Sequence, residues 1–450
     1  MSRTICVGAR RWATARAADG RSGPSSLHRP GRLVALALGL WGGACGGSER
    51  AEALAGGADG GGGAQTRETV RPGIEVLLSD SLHLVAGLRV GLITNHTGID
   101  REGRSDIDLL FEHPAVELVA LYGPEHSIRG NAQDGVIVES SVDPRTGLPI
   151  HSLYGPATMR KPTPDMLVGV DVLLFDMQDI GARYYTYVST LALAMQAAGE
   201  NGIPFVVLDR PNPIRGDVVQ GNVLDPAFST FVGMFPVPMR HGMTPGELAR
   251  LYVAEFGVDV ELSVVQVGGW SRALPFDETE LPWVAPSPNM PSLESALAYP
   301  GTCLFEGTNL SVGRGTDRAF QWIGAPWLDA ERVVAALAAY DFDGVRFEAT
   351  TFVPRAPSDA KYDGQEVPAV RVVGESSTYD APRVAVAMLV EIRRAHPEEW
   401  GWLGTIDRLA GTDSLRLGID TGLSMDELTG GWDAAVAAFE ALRAPHLLYR

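Results

Sequence analysis

Carboxylates are the side chains of this 450-residue sequence whose settings most strongly suggest chemistry. Glu125 follows Tyr122 and Pro124 and precedes His126 in the segment Tyr-Gly-Pro-Glu-His. Partial burial on such a turn would raise the pKa of Glu125, as a general acid working near neutral pH requires. Hydrolysis of a glycosidic bond needs such a protonated carboxyl beside the leaving oxygen. We therefore predict Glu125 as a catalytic acid with His126 beside it. A protonated His126 would instead hold Glu125 ionised, as a base or as half of a salt bridge.

A second group of chemically capable residues begins at Asp176. Asp176 and Asp179 place a carboxylate at each end of a predicted turn, and we predict both to be catalytic. Tyr184 offers a ring on which the apolar face of a sugar can stack, and the Arg183 fork suits an anionic substituent. The alternative is a plain helical ion pair between Asp179 and Arg183, which are four residues apart.

Further polar residues are predicted to bind substrate because they follow strand ends or lie in a glycine-rich stretch at 287–318. They are Asn95, His96, Gln178, Asp209, Arg210, Asn212, Asn289, Glu306, Asn309, Arg314 and Asp317. Glycines let backbone approach a ligand closely, so the stretch is predicted to form one wall of a cleft. It could instead be an ordinary interdomain loop in which Arg314 and Asp317 pair with each other.

Several kinds of ligand are not supported by the sequence. The net charge of −18, from 37 basic and 55 acidic residues, argues against nucleic acid as a partner. The first predicted strand is not followed by the dinucleotide motif G-x-G-x-x-G, and neither a P-loop nor the nucleophile elbow G-x-S-x-G occurs. We predict neither a cofactor nor a metal. His96, His126 and His241 with Asp176 could in principle hold zinc, but they lack the paired spacing of zinc motifs.

These residues need elements that bring them together. β-Branched runs at 88–94, 116–122, 172–176 and 204–209 alternate with helix-like stretches, which is typical of a parallel sheet with crossover helices. The candidate residues follow the carboxyl ends of those strands, where open parallel sheets bind ligands. Thr244 and Glu247 predict a capping box at the start of one helix, and Ser105 is predicted to cap another.

Beyond a proline-rich crossing at 270–291, the pattern indicates a second unit. Helices are predicted over 329–340, 382–395 and 425–442, and strands over 345–353 and 367–373. The predicted fold class is α/β, with a Rossmann-like parallel-sheet domain at 71–282. A smaller α/β domain at 283–450 follows it, and the active cleft lies between them.

The first 70 residues are predicted to direct export. Arginines precede an apolar run at 33–41 and small residues follow it, as in a signal segment at 1–45. The run is shorter than the ~20 residues that cross a bilayer. We expect a periplasmic protein or a lipoprotein anchored at Cys45, or alternatively a secreted protein. Residues 46–70 are predicted to be a disordered glycine-rich tether, and three cysteines cannot form a disulfide framework.

Many of these segments resemble the bacterial exo-β-N-acetylmuramidases of the NamZ type, which are glycoside hydrolases. They are 91–98, 122–126, 176–187, 208–213, 288–291, 301–309 and 313–316. With Trp432 and Tyr449 the likeness extends over about residues 71–450. The resemblance implies release of N-acetylmuramic acid from the non-reducing end of peptidoglycan fragments, in a cleft between the two domains. Muramyl saccharides would then be the partners.

The resemblance also assigns residues. Glu125 is the family's leading catalytic candidate in this sequence, although Ser127 stands where glycine is expected. The second catalytic group is not settled, because the 2-acetamido group of the substrate can itself attack, so retention and inversion both stay open. The lactyl carboxylate of the substrate implies a guanidinium clamp from Arg183, Arg210 or Arg314.

Two other functions stay open at the level of the sequence. One is a non-catalytic surface lipoprotein that binds cell-wall sugars through the same cleft. The other is an amidase or esterase that acts on the peptide or lactyl part of the wall.

Overall fold

The computed structural model describes residues 68–124, 128, 141–154 and 160–450. The predicted signal segment and nearly all of the tether lie outside the described residues. The strands are β1 Arg89–Thr94, β2 Glu117–Gly123, β3 Ser141–Val142, β4 Pro149–Ser152, β5 Val172–Asp176, β6 Phe205–Leu208, β7 Gln220–Val223, β8 Pro238–Arg240, β9 Leu262–Val265, β10 Trp322–Gly324, β11 Val345–Phe352 and β12 Val367–Gly374. The helices are α1 Gly73–Asp80, α2 Asp106–Glu112, α3 Tyr187–Glu200, α4 Pro245–Glu255, α5 Leu293–Thr302, α6 Ala330–Leu337, α7 Ala381–Ala395, α8 Ile406–Ala410, α9 Ser414–Asp420, α10 Met425–Thr429 and α11 Trp432–Arg443.

A seven-stranded sheet in the order β3-β4-β2-β1-β5-β6-β9 forms the larger part of the fold. Neighbouring strands run parallel, except that β3 pairs antiparallel with β4. The chain starts in the middle at β1, builds outward through β2 to β4, and then returns to β5 and builds the other half. The direction of building reverses between β1 and β5, which is the point where open parallel sheets bind ligands. The predicted Rossmann-like sheet is confirmed.

Both faces of this sheet are covered, which explains why its central strands read as continuous apolar runs. β5 is buried along its whole length, and its successive residues Leu174 and Phe175 point to opposite faces. Leu174 belongs to the same buried cluster as Ile74 of α1 and Leu110 of α2. Phe175 belongs to the cluster that contains the buried side chains of α3 and α4.

A smaller unit follows, built on three antiparallel strands in the order β10-β12-β11. Helices α5 and α6 lie against this sheet, and α7 packs on both helices. Ala296 of α5 and Ala385 of α7 belong to the same buried cluster as Phe175, so the two units share one core. The predicted smaller α/β domain is confirmed, and its sheet is antiparallel.

Two helix starts test the capping predictions. The Thr244 hydroxyl accepts the Glu247 amide and the Glu247 carboxylate accepts the Thr244 amide, so the predicted capping box is confirmed. Ser105 makes no capping hydrogen bond at the start of α2, and that prediction is wrong. Asp106 accepts the amide of the next residue at 2.7 Å instead.

The C-terminal helices depart from the predicted single helix over 425–442. Gly430 and Gly431 separate α10 from α11, because glycine weakens a helix interior. Helix α5, which contains Pro300, was not predicted. Within the described ranges, no helix has both the length and the apolar character needed to cross a membrane.

Candidate active site

Three loops meet at the carboxyl ends of the central strands, where they follow β1, β5 and β6. The Thr94 hydroxyl donates to the Asp176 carbonyl oxygen at 2.9 Å, and the Gln178 amide donates to the Thr97 hydroxyl at 2.9 Å. Arg210, two residues beyond β6, places its Nε 2.5 Å from Asp176 Oδ1. The three loops therefore form one polar cluster at the reversal point of the sheet.

The fourth predicted loop follows β2, whose neighbour in the sheet is β1. Glu125 and His126 belong to this loop and lie outside the described residues. Their catalytic roles stay predictions.

Asp176 is the centre of a buried network. Burial raises its pKa, although the neighbouring Arg210 guanidinium opposes that shift. Asp106, which sequence reasoning missed, places Oδ2 2.5 Å from the Thr94 hydroxyl. Burial and then the Asp176 charge raise the pKa of Asp106 well above its usual range. Asp176 Oδ2 has no hydrogen-bond partner among the described residues. The geometry makes Asp176 a positioning group for Arg210, and its catalytic role stays a prediction.

Asp179 lies beside a histidine. Its Oδ2 accepts the Gly181 amide at 2.7 Å and lies 3.5 Å from Nε2 of His241, and both side chains are buried. His241 Nδ1 accepts the Met243 amide at 3.2 Å, so the ring proton sits on Nε2 and faces Asp179. The alternative helical pair of Asp179 with Arg183 is wrong, because residues 179–183 are not helical.

Arg183 is enclosed by main-chain oxygens. Its Nη1 donates to the carbonyls of Asn222 and Val237 at 2.8 and 3.1 Å. Its Nη2 donates to those of Leu409 and Ala410 at 3.1 and 2.9 Å. Burial lowers the pKa of Arg183 to about 10. The side chain thus ties α8 to the β7–β8 sheet, which corrects the expectation that its guanidinium faces an anionic ligand.

Three of the predicted binding residues hold the loops around the reversal point. Asn95 Oδ1 accepts the amide two residues further on at 2.9 Å, and its Nδ2 has no partner in the described part of the chain. His96 Nε2 lies 2.8 Å from the Ala285 carbonyl oxygen, which joins the first loop to the chain entering the second unit. Gln178 Nε2 donates to the Pro211 carbonyl oxygen at 2.9 Å.

Asp209 and Asn212 form hydrogen bonds to residues at and near the start of α4. Asp209 Oδ1 accepts the Gly246 amide at 2.8 Å, and its Oδ2 accepts the hydroxyls of Thr244 and Tyr449 at 2.7 and 2.6 Å. Burial raises the pKa of Asp209 to about 7. Asn212 makes its two hydrogen bonds to main-chain groups. The predicted binding residues Asp209 and Asn212 are therefore placed where they stabilise the fold.

A pocket of about 160 Å³, here named the main pocket, lies between the loop after β5 and the second unit. Its lining includes Tyr184, Tyr185, Tyr187, Asn289, Tyr299, Cys303, Glu306, Arg314 and Phe320. The Tyr299 ring lies 5.5 Å from the Tyr184 ring, edge to face. Aromatic rings of this kind can pack against the apolar faces of a sugar. The structure thus brings together four of the predicted binding residues, which are Tyr184, Asn289, Glu306 and Arg314.

Glu306 and Arg314 form the charged part of the main pocket. Arg314 Nε donates to Glu306 Oε1 at 2.7 Å, and its Nη2 lies 2.5 Å from the same oxygen. Arg314 Nη1 donates to the Ser358 hydroxyl at 3.1 Å. The guanidinium also stands 5.4 Å from the centre of the Phe320 ring, so aromatic and charged contacts together orient it.

Asp317 and Asn309 are two of the predicted binding residues that do not line the main pocket. Asp317 is exposed and lines a neighbouring pocket together with Asn289. The alternative pairing of Arg314 with Asp317 is wrong, because Arg314 forms an ion pair with Glu306 instead. Asn309 Oδ1 and Nδ2 hydrogen-bond the main chain at 399–401, so this residue holds a loop.

Sequence reasoning missed Tyr299 and Phe320, whose rings lie 4.6 Å apart in the main pocket. Tyr299 belongs to α5, whose start is marked by Ser292 accepting the Ser295 amide. That serine before an apolar run was the available signal for the helix. Cys303 is buried, and burial raises the pKa of its thiol. No group of three His, Cys, Asp or Glu residues that could hold a metal occurs among the residues that the structure describes.

The fold and the pocket define a class of protein. It is a two-unit α/β protein whose tyrosine-lined pocket, beside the reversal point of an open sheet, suits a polar ring such as a sugar. Residues 90–294 match the N-terminal model of exo-beta-N-acetylmuramidase NamZ, and residues 297–449 match the C-terminal model. The chain belongs to this family.

A curated relative and two solved structures agree with this assignment. Peptidoglycan beta-N-acetylmuramidase NamZ of Bacillus subtilis (strain 168) is 43% identical over 383 residues, covering 84% of this chain and 91% of the relative. Two crystal structures of DUF1343 family proteins from Bacteroides fragilis NCTC 9343 share the fold. One has a TM-score of 0.78 and 35% identity, and the other a TM-score of 0.67 and 30% identity. Each match covers 85% of this chain and 99% of the solved chain.

Proposed function

We propose that this protein is an exo-β-N-acetylmuramidase that releases N-acetylmuramic acid from the non-reducing end of peptidoglycan fragments. The observation that carries the proposal is the match of both halves of the chain to the NamZ family, together with a 43% identical relative named for that activity. The main pocket supports it, because tyrosine rings and a carboxylate–guanidinium pair suit a sugar that carries an anionic group.

The terminal muramyl residue occupies the main pocket. Of the three arginines nominated for its lactyl carboxylate, Arg314 lines that pocket. Arg183 is enclosed by carbonyl oxygens, and Arg210 directs its Nε to Asp176. Arg314 is therefore the clamp, and Glu306 orients it through two N–H groups.

Glu125 donates the proton to the leaving glycosidic oxygen. Its assignment comes from the Gly-Pro-Glu-His segment of the family, in the loop after β2. The central strand β1 lies between β2 and β5, so that loop leaves the sheet one strand away from the Asp176–Arg210 cluster. Asp176 keeps Arg210 in place through the 2.5 Å ion pair, which makes both positioning residues for this edge of the sheet.

The protein is exported, and Cys45 is its lipid attachment site. Arginines before a short apolar run, with small residues before Cys45, support this part of the proposal. Cell fractionation tests it. The full-length chain should sediment with membranes, and Cys45→Ala should move it to the soluble exported fraction. Membrane association that survives Cys45→Ala would contradict lipidation, and retention in the cytoplasm would contradict export.

Hydrolysis of para-nitrophenyl N-acetylmuramic acid tests the activity. The wild-type protein should release nitrophenol. Glu125→Gln, with an unchanged melting temperature, should lower kcat at least about 100-fold for a MurNAc–GlcNAc disaccharide, whose sugar leaving group needs the proton that a general acid supplies. Tight binding of the sugar without turnover by the wild-type protein would favour a sugar-binding lipoprotein. Release of peptide or lactate with the glycosidic bond intact would favour an amidase or esterase.

A further inference from the structure

A second groove adjoins the main pocket and is here named the side groove. Its lining includes Arg160, Thr230, Phe231 and Arg408, its volume is about 290 Å³, and it shares Val232, Glu306 and Leu409 with the main pocket. A ligand bound in the main pocket can therefore extend directly into the side groove, because the two share part of their lining.

The side groove is positively charged in a chain whose net charge is −18. Arg160 and Arg408 line it, and neither has an ion-pair partner among the described residues. The acidic residue that shares the lining is Glu306, whose carboxylate is neutralised by Arg314. Two unneutralised guanidinium groups on one groove favour an anionic ligand.

One of the two arginines of the side groove, Arg160, is held in place. The Arg160 guanidinium lies 4.0 Å from the centre of the Phe231 ring, which restricts its position. Phe231 is on a tight turn closed by hydrogen bonds between Thr230 and Gly233 at 2.9 and 3.1 Å. The Thr230 hydroxyl oxygen is buried without a hydrogen-bond partner in the described part of the chain.

Arg183 connects the two walls of the side groove. It donates to the Val237 carbonyl, a few residues beyond the turn that carries Phe231. It also donates to the Leu409 carbonyl, next to Arg408 on α8. Both walls are therefore fixed to one buried side chain, and the groove is formed before a ligand binds.

We infer that the side groove binds the carboxylate of a second muramyl residue, on the leaving-group side of the scissile bond. This inference rests on the proposed function, because it takes the main pocket as the site of the terminal sugar. The pocket that contains Asp317 also adjoins the main pocket, because both are lined by Asn289. It contains Arg355 as well, so its opposite charges do not favour an anion. The enzyme should therefore prefer fragments that continue to a further muramyl unit over those that continue with neutral sugars.

Two trisaccharides that differ by one lactyl carboxylate test the inference. They are MurNAc–GlcNAc–MurNAc and MurNAc–GlcNAc–GlcNAc, and calorimetry of the full chain carrying Glu125→Gln measures their dissociation constants. We expect the first to bind about tenfold more tightly, as one charge-assisted interaction would give. Arg160→Met and Arg408→Met, each added to that chain, should reduce this ratio toward one. Arg346→Met, which removes an exposed arginine of β11, should leave the ratio unchanged.

The outcomes separate this inference from the proposed function. Equal binding of both trisaccharides, or a ratio that survives both arginine substitutions, would overturn the inference. Hydrolysis of para-nitrophenyl N-acetylmuramic acid, which has a carboxylate only on the terminal sugar, is measured in the same arginine variants without Glu125→Gln. If the KM for this substrate rises by the same factor as the trisaccharide ratio falls, the two arginines bind the carboxylate of the terminal sugar. That result would also overturn the inference. No hydrolysis by the wild-type protein, with the trisaccharide preference intact, would count against the proposed function alone.

Discussion

Arg183→Met is expected to destabilise the protein without acting directly on substrate binding. The wild-type guanidinium donates four hydrogen bonds to carbonyl oxygens at 2.8–3.1 Å. Two of those oxygens keep a second donor, because Asn222 Nδ2 reaches Ala410 and the Leu224 amide reaches Val237. Methionine fills part of the volume but donates nothing.

The magnitude follows from two opposing contributions. Hydrogen bonds from a charged group contribute about 1.5–3 kcal/mol each. Against this, burial lowers the pKa of Arg183 to about 10, which corresponds to a cost of about 3 kcal/mol for keeping the charge inside. The balance of these two contributions is a net loss of about 3–5 kcal/mol in the free energy of unfolding.

Urea unfolding followed by tryptophan fluorescence measures this loss. Arg346→Met, at an exposed ion pair, should change the unfolding free energy by less than about 0.5 kcal/mol. Arg183→Lys should recover only part of the loss, since a single ammonium cannot reproduce the planar fork. If Arg183→Met loses less than about 1 kcal/mol while KM for muramyl substrates rises, Arg183 is a ligand-binding residue and our assignment is refuted.

The remaining predictions concern three other buried or pocket residues. Burial raises the pKa of Asp209 to about 7, above its unfolded value, so its stabilising contribution is complete below about pH 4 and is lost as the pH rises to 7. Asp209→Asn should therefore remove about 3 kcal/mol of the fall in unfolding free energy between pH 4.5 and 7, as measured by urea unfolding at both pH values; an unchanged pH slope would contradict this. Arg314→Met should raise the dissociation constant of N-acetylmuramic acid about tenfold more than that of N-acetylglucosamine, as measured by calorimetry, and equal increases would count against the clamp. Burial raises the pKa of the Cys303 thiol, so iodoacetamide at pH 8 should label this residue only after denaturant is added, as read by mass spectrometry of its peptide; rapid labelling of the native protein would show that the thiol is accessible.

The elements that position the site were largely predictable. The strand predicted at 172–176 has those bounds in the structure, because a fully buried parallel strand is a continuous apolar run between polar loops. The capping box at Thr244 was predictable because its two partners are three residues apart. Such elements can be predicted from the sequence because the residues that form them are close together in the chain.

The partners of charged residues were not predictable in the same way. Arg183 lies 226 and 227 residues from two of its acceptors, and an arginine among tyrosines is equally suited to a ligand. Arg314 was considered as a partner of Asp317, three residues away, yet it binds Glu306 across a turn. Such pairs depend on how distant segments pack, and one sequence holds no periodic signal for them.

The central claim is that the enzyme removes a terminal N-acetylmuramic acid from the non-reducing end. The most direct measurement is mass spectrometry of the products from two synthetic tetrasaccharides, one beginning with N-acetylmuramic acid and the other with N-acetylglucosamine. Our account predicts free N-acetylmuramic acid and a trisaccharide from the first, and no cleavage of the second. Disaccharide products from either oligosaccharide, or no cleavage of the first, would contradict it.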